Sequence, residues 1–180
     1  MAECPQTQTQ SVLDHGYAVA SKFKDLIEGR TDGWRLPDWF TENREFLLGQ
    51  LPDLALLEQY HVYHDCGKPY CRTVDAEGRQ HFPDHARISA SVYRVTFGDS
   101  IVATYIQHDM DFHLMKPADA HSYERLDLAP VLLLTALAEL HSNASMFGGI
   151  ESTSFKIKFK TLSKTGSIIL NRLKENQNVQ

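Results

Sequence analysis

The chain has 180 residues, of which 42% are hydrophobic and 23% charged, and its formal net charge is −5 at pH 7. This length suits one compact domain and is too short for two, and the negative charge argues against overall attraction to nucleic acid. Because the sequence has no run of eighteen apolar residues and no signal peptide at its start, we expect a cytoplasmic protein that does not contact a membrane.

The first predicted element is a helix from Ser11 to Glu28. Residues 1–10 include the string QTQTQ and have little to bury, so we expect them to be mobile. Ser11 is a good N-cap, and apolar side chains recur on one side of the pattern until Gly29. His15 lies in the first turns near that apolar side. A single histidine there is more often a packed, hydrogen-bonded residue than a ligand.

The next predicted helices run from Pro37 to Gly49 and from Leu54 to Asp65. In the second, apolar side chains and then His64 and Asp65 recur at steps of three and four residues. Gly67 is expected to take a left-handed C-cap, and Pro69 to prevent a further turn. The pattern therefore predicts a helix whose last turn carries an imidazole and a carboxylate.

Lys68 lies three positions beyond Asp65 of this His64-Asp65 pair. An imidazole and a carboxylate bind zinc, iron or manganese without selecting one, and a nearby lysine supplies a positive charge for an anionic oxygen. The pattern indicates a cation site that also holds a phosphate. An isolated His-Asp pair is otherwise usually a hydrogen bond without further function.

A polar, hairpin-like segment follows at 73–79, and then a helix from Asp84, a predicted N-cap, to Phe97. Arg72 is four positions beyond Lys68, and we predict that the two share a substrate phosphate, with a solvated arginine as the alternative. His85 lies in the first turn of the predicted helix.

A further helix from Ser100 to His108 ends in a second cluster of histidines and carboxylates. At a spacing of four residues, Asp109 and His113 would share one helix face. A solvated helix end is the competing interpretation of this cluster.

The most apolar segment is a predicted helix from Leu128 to Phe147, after a short one from Pro117 to Glu124. Glu139 lies inside it, and an ionised glutamate in such a setting is costly unless a cation or hydrogen-bond donors receive it. We therefore regard Glu139 as a candidate ligand.

The C-terminal segment from residue 151 has a different residue pattern, because Phe155, Ile157 and Phe159 alternate with three lysines. A period of two predicts a strand with one apolar and one cationic face, followed by a helix from about Ser163 to Lys174. The lysine face at 156–160 is a candidate RNA contact, although an ordinary solvated strand accounts for it equally well.

Three sequence motifs lie close together within residues 64–86: His64–Pro69 (HDCGKP), the Gly-containing turn at 73–79, and Gln80–Ala86 (QHFPDHA). Together they resemble the HD-domain superfamily of metal-dependent phosphohydrolases. The string is most similar to the HD domains of tRNA nucleotidyltransferases and of polynucleotide kinases, and the resemblance covers about residues 11–147. It implies an all-α helical bundle over 11–150, with a basic C-terminal extension over 151–180.

The resemblance also implies roles for particular residues. His15, His64 and Asp65 would hold a divalent ion, either His108 or Asp109 would add a ligand, and His85 would join a second ion or touch the leaving group. The family's last ligand is normally an Asp, whereas this chain has Glu139 in the corresponding helix. The ion would be Mn, Ni, Co, Zn, Mg or Fe, as one ion or two.

The function implied is hydrolysis of a phosphate ester on a nucleotide or RNA end, such as a 2′,3′-cyclic phosphate or a 2′-phosphate. Asp65 would orient the attacking water, while Lys68, Arg72 and His85 would stabilise charge on the phosphate. Within the same reaction class, the alternative is a nucleotidase or a dNTP triphosphohydrolase. A di-iron oxygenase and an inactive, metal-bound nucleotide- or RNA-binding module are alternatives from other classes.

Overall fold

The computed structural model describes residues 1–7 and 9–177, and in these residues the chain is almost entirely helical. The expected all-α class is confirmed. The helices are α1 (Val12–Glu28), α2 (Asp38–Thr41), α3 (Arg44–Leu48), α4 (Leu54–Tyr63), α5 (Lys68–Cys71), α6 (His85–Phe97), α7 (Ile101–His108), α8 (Asp111–Leu114), α9 (Ala129–Ser142) and α10 (Thr153–Gln177). An antiparallel hairpin is formed by β1 (Thr73–Val74) and β2 (Gln80–His81), as the polar segment predicted.

The chain divides into two compact units, each built from separate segments. The first unit comprises Met1–Ser21 and Pro52–Met110, and the second comprises Lys22–Leu51 and Asp111–Gln180. In the described residues, no helix combines the length and the apolar character that crossing a membrane requires.

In the first unit, α6 packs against both α5 and α7, and α4 packs against α7. The start of α1 is fixed by a reciprocal cap, because the Asp14 amide donates to Ser11 Oγ and the Ser11 amide donates to Asp14 Oδ2. Ser100 caps α7 by accepting from the Ala103 amide. The predicted N-cap at Ser11 is therefore confirmed. The N-cap predicted at Asp84 is wrong, because Asp84 has a left-handed backbone and its side chain accepts no capping hydrogen bond from α6.

The N-terminal residues, which we expected to be mobile, have defined contacts in the first unit. Cys4 is buried, and its carbonyl oxygen accepts a hydrogen bond from the Val12 amide at 2.8 Å. The Gln6 amide donates to the Gln10 carbonyl oxygen at 2.9 Å. Two backbone hydrogen bonds thus fold this segment back onto the start of α1.

In the second unit, α9 is buried on nearly all sides, as its apolar sequence predicts: twelve of its fourteen residues are buried. The long helix α10 packs against α9 and α2. Gly166 of α10 lies directly against Trp39 of α2, so that a Cβ at position 166 would be 2.4 Å from the indole nitrogen. The Arg172 guanidinium donates to two carbonyl oxygens, those of Ala120 and Tyr123.

The strand predicted at 155–160 is wrong, because this segment forms the first turns of α10. Phe155 is buried and Ile157 is 61% exposed, which is the pattern of a helix rather than of alternation. Farther along, the buried positions of α10 recur at steps of three and four residues, and that longer period decides the structure.

The common lysine face predicted at 156–160 is wrong for the same reason, because alternate residues of a helix point in different directions. Lys156 forms an ion pair with Glu151 at 2.9 Å, while the Lys158 ammonium lies over the Phe147 ring.

Three other expected boundaries differ from the structure. The helix predicted over 37–49 is two short helices, α2 and α3, and the one predicted over 128–147 ends at Ser142 before a 3-10 turn at Ala144–Phe147. The short helix predicted over 117–124 is a 3-10 turn at Asp119–Ser122.

We predict that Gly166→Ala will lower the free energy of unfolding by about 1–3 kcal/mol, because the new methyl group must displace the Trp39 ring. Urea unfolding measures this change. Ser167→Ala, at an exposed position of the same turn, is the matched control and should stay within about 0.5 kcal/mol of the wild type. Equal stability of Gly166→Ala and wild type would contradict this close packing.

A second prediction concerns His141. Burial lowers the pKa of His141, and its ring nitrogens are both engaged: Nδ1 at the Leu137 carbonyl and Nε2 as the acceptor for the Arg35 amide. The neutral ring is therefore the form that stabilises the fold. Its contribution should be complete above the unfolded pKa of about 6.5 and should be lost as the pH falls through the lower folded pKa.

The measurement is the difference in unfolding free energy between wild type and His141→Gln at several pH values. This difference should be largest at about pH 8 and should shrink towards about pH 5. A difference that grows on acidification would show the opposite sign of coupling.

Candidate metal centre

The candidate site is centred on Asp65, in the turn between α4 and α5. Its carboxylate is buried, and three side chains approach the same oxygen, Oδ2. His64 Nε2 is 3.3 Å away, His15 Nε2 is 3.8 Å away, and Lys68 Nζ is 2.5 Å away. One ligand atom from each of His15, His64 and Asp65 lies within 4.8 Å of the other two, a spacing that admits a single metal ion.

Two glycines allow these side chains to meet. Gly16 follows His15, and a Cβ at position 16 would lie 2.5 Å from the Val62 carbonyl oxygen, so the backbones of α1 and α4 touch there. Gly67 follows the His64-Asp65 pair, and a Cβ there would lie 2.3 Å from the Ser89 amide nitrogen of α6. Each contact is too close for any residue with a side chain.

The expected left-handed C-cap at Gly67 is wrong. Gly67 has φ −83° and ψ −16°, a right-handed conformation, and glycine is required there by the contact with α6 rather than by the backbone angle. Pro69 likewise does not stop the helix, because it lies in the first turn of α5, where its missing N–H is not needed. Lys68 therefore begins a helix instead of lying beyond one.

The orientation of His64 is fixed by α4. Its Nδ1 lies 2.6 Å from the His61 carbonyl oxygen, and because a carbonyl only accepts hydrogen bonds, Nδ1 carries the proton. In the neutral ring, Nε2 then presents a lone pair to the anionic Asp65 Oδ2. This contact is favourable only if a proton or a metal ion lies at Nε2. A backbone carbonyl on the far nitrogen is the usual support for a metal-binding histidine.

His85 repeats this arrangement on the other oxygen of Asp65. Its Nδ1 lies 3.0 Å from the Phe82 carbonyl oxygen, and its Nε2 lies 3.5 Å from Asp65 Oδ1. Asp65 Oδ1 is buried and accepts no hydrogen bond from the part of the chain that the structure describes. A buried carboxylate oxygen in this state is suited to a cation.

The Asp65 carboxyl remains ionised under ordinary conditions. Burial alone would raise its pKa, but its close contacts with His64 and with the Lys68 ammonium hold the pKa well below the usual range. Two imidazoles and an ionised carboxylate form a donor set that fits zinc, iron, manganese, nickel or cobalt. His15, His64 and Asp65 thus form a buried group that could bind a metal ion, as the sequence predicted.

Asp109 also belongs to the first unit. It is buried just after α7, it accepts a hydrogen bond from the Tyr60 hydroxyl at 2.5 Å, and one of its oxygens lies within 4.8 Å of a His64 ring nitrogen. His108, the last residue of α7, is half-buried and belongs to no candidate ligand group among the described residues, whereas Asp109 is grouped with His64. This grouping favours Asp109 over His108.

The shared helix face predicted for Asp109 and His113 is wrong. Helix α7 ends at His108 and α8 begins only at Asp111, so the two residues do not lie on one continuous helix.

Glu139 lies on α9 in the second unit. Its Oε2 is 3.0 Å from His113 Nε2, and its Oε1 accepts a hydrogen bond from Asn143 at 3.3 Å. Asn143 thus supplies one of the donors that a glutamate in an apolar helix requires, and His113 lies within ion-pair distance. Its role as a metal ligand remains a prediction.

An open cleft of about 620 Å³ adjoins the site in the first unit. It is lined by Lys68, Thr73, Gln80, His81, Phe82, Pro83 and His85. Arg72 contacts this wall indirectly, by donating a hydrogen bond from Nε to Gln80 at 2.5 Å. Lys68 and His85 thus border both the cleft and Asp65, whereas Arg72 is exposed and held by the hairpin.

The chain matches no protein-family model, no curated protein and no solved structure in the comparisons made. Membership of the HD-domain superfamily therefore remains a prediction from the sequence motif.

We predict that purified protein binds a divalent transition metal and that His64→Ala and Asp65→Ala lower its affinity by at least about 100-fold, because each removes a direct ligand. Elemental analysis and titration calorimetry measure this. His81→Ala is the matched control, since its exposed side chain pairs with Asp75 on the hairpin, and it should bind metal as the wild type does. If both site variants bind metal as tightly as the wild type, the proposed metal centre is wrong.

Proposed function

We propose that the protein is a divalent-metal-dependent phosphohydrolase of the HD-domain type that cleaves a phosphate ester of a nucleotide or an RNA end. The observation that carries the proposal is the arrangement around Asp65. Two imidazoles approach one of its oxygens together with the Lys68 ammonium, and a third imidazole approaches the other oxygen. A metal position beside a lysine is a combination suited to phosphate-ester hydrolysis, because both stabilise negative charge on the phosphoryl group.

His15, His64 and Asp65 would hold the ion, with Asp109 as a further ligand. When bound, a divalent ion supplies a Lewis acid that polarises a phosphoryl oxygen and lowers the pKa of a coordinated water. The His61 carbonyl fixes the His64 ring, so that its Nε2 faces the proposed ion position. Asp65 stays ionised and can orient the attacking water through an oxygen that is not used by the ion.

Lys68 and His85 would act on the substrate. The Lys68 ammonium borders the cleft, where it can donate a hydrogen bond to a phosphoryl oxygen as negative charge grows on it. His85 Nε2 faces the same region, and a protonated His85 could deliver that proton to the leaving oxygen. Arg72 would bind the substrate phosphate only after giving up its hydrogen bond with Gln80.

The cleft supports the choice of substrate. Phe82 offers a partly exposed ring for stacking a base, and the polar atoms of Gln80 and His81 lie on the same wall. Because the cleft is open, a chain end can enter with its terminal phosphate directed at Lys68. These features favour an RNA end or a nucleotide over a small inorganic ester.

A di-iron oxygenase is the second candidate, and the approach of His85 Nε2 to Asp65 Oδ1 is the observation that favours it. A carboxylate with imidazoles at both oxygens can bridge two ions. Metal analysis separates the two candidates, because an oxygenase requires two iron ions per chain and a coloured preparation. The Lys68 contact favours hydrolysis.

The test is a panel of phosphate esters assayed with added Mn, Ni, Co, Zn or Mg. It includes 2′,3′-cyclic nucleotides, RNA with a 2′-phosphate end, nucleoside monophosphates and dNTPs. We expect metal-dependent release of phosphate or ring opening for at least one ester, and we expect Lys68→Met to lower kcat by about 100–1,000-fold.

Lys68→Met keeps the unbranched shape and most of the length of the side chain but removes its charge, so metal affinity should be maintained or increased. This separates loss of catalysis from loss of the metal. If no ester is cleaved while a nucleotide or RNA still binds, the protein is a binding module. Full activity in Lys68→Met would exclude the role assigned to the ammonium.

A further inference from the structure

The Lys68 ammonium already has two hydrogen-bond partners. Its Nζ donates to Asp65 Oδ2 at 2.5 Å and to the side-chain oxygen of Gln6 at 3.0 Å, and it lies 5.2 Å from the centre of the Phe82 ring. An ammonium has three N–H donors, and the two oxygens use two of them. Because Lys68 is buried, little of the ammonium is open to a ligand, and a phosphate that binds it competes with these oxygens.

Gln6 is the partner that can be exchanged. Its carboxamide is neutral and partly exposed, whereas Asp65 is a buried carboxylate whose hydrogen bond with Lys68 is assisted by charge. The backbone of Gln6 is fixed by its amide, which donates to the Gln10 carbonyl oxygen. The side chain alone can leave Lys68 by rotating, while the backbone stays in place.

We propose that the Gln6 side chain is a place-holder on Lys68: its oxygen occupies the position of a substrate phosphoryl oxygen and must leave when the phosphate binds. The N-terminal segment, residues 1–7, thereby reduces the affinity of the site for weakly bound anions. This inference rests on the phosphate-binding role of Lys68 in the proposed function.

The test uses the full chain and inorganic phosphate, with its affinity measured by titration calorimetry for the metal-loaded and the metal-free protein. Gln6→Ala should bind phosphate about tenfold more tightly than the wild type, the factor expected when one hydrogen bond to a charged group no longer competes. Gln6→Glu should bind phosphate about tenfold more weakly, because a carboxylate pairs with Lys68 and repels the anion.

Gln10→Ala is the matched control, since it removes a nearby glutamine side chain without touching the hydrogen bond to Lys68. It should leave phosphate affinity unchanged. Weaker phosphate binding in Gln6→Ala would overturn the proposal, because it would make Gln6 a support for Lys68 or for the anion. Equal binding, or no binding, in Gln6→Ala and wild type would overturn it as well.

A second readout does not depend on hydrolysis. In the ¹⁵N spectrum, the side-chain amide of Gln6, identified by its absence in Gln6→Ala, should shift when phosphate saturates the protein. If no ester is ever cleaved, this shift still supports the place-holder. If esters are cleaved but the Gln6 amide does not respond to bound phosphate, the place-holder is wrong while the hydrolase remains.

Discussion

A buried, ionised carboxylate is the constraint on which the first unit depends. Removing a charge from water costs several kcal/mol unless other charges or donors compensate it. Asp65 is compensated by the Lys68 ammonium. The imidazoles that approach both of its oxygens add to this when a proton or a metal ion lies at their Nε2 atoms. These groups come from α1, from the turn after α4, and from the starts of α5 and α6, so one charge ties four parts of the chain together. The same convergence creates the space for a cation.

Short side chains can converge only if their backbones approach closely. A histidine and an aspartate reach a few ångströms, so the helices that carry them must touch. Gly16 and Gly67 supply this contact, each directly beside a residue of the site. The geometry of the centre is therefore set by two residues that contribute no side-chain chemistry. Substituting either one would move the proposed ligands apart.

Much of this could be predicted from the sequence. The motif at 64–69 identified the His64-Asp65 pair and Lys68. His85 lies far from this motif in the sequence, but the Gly-containing turn between them predicted a hairpin that brings the chain back towards the pair. The helices with clear caps, α1 and α7, were predicted almost to the residue. A capping side chain and an apolar stripe are local signals, so no tertiary information is needed to interpret them.

The errors arose where tertiary contacts decide the structure. Gly67 has the local signature of a helix stop, yet its role is set by Ser89, twenty-two residues farther on. The alternation of apolar residues and lysines at 155–160 is only six residues long. The apolar residues of the whole of α10 recur at helical spacing, and this longer pattern decides the structure. Gln6 belongs to no sequence motif, and its place at the site is seen only from its hydrogen bond with Lys68. Gly16, however, had a signal that was missed: an isolated glycine inside a strong helical pattern often marks a close backbone approach.

The central claim is that a metal ion lies between His15, His64 and Asp65. Anomalous X-ray diffraction from crystals grown with manganese or zinc, recorded on both sides of the metal absorption edge, tests it most directly. The account predicts an anomalous peak at about 2.0–2.3 Å from His64 Nε2 and from an oxygen of Asp65, with His15 Nε2 as a further ligand. A fully loaded protein with its peak elsewhere, and with these side chains unchanged, would contradict it.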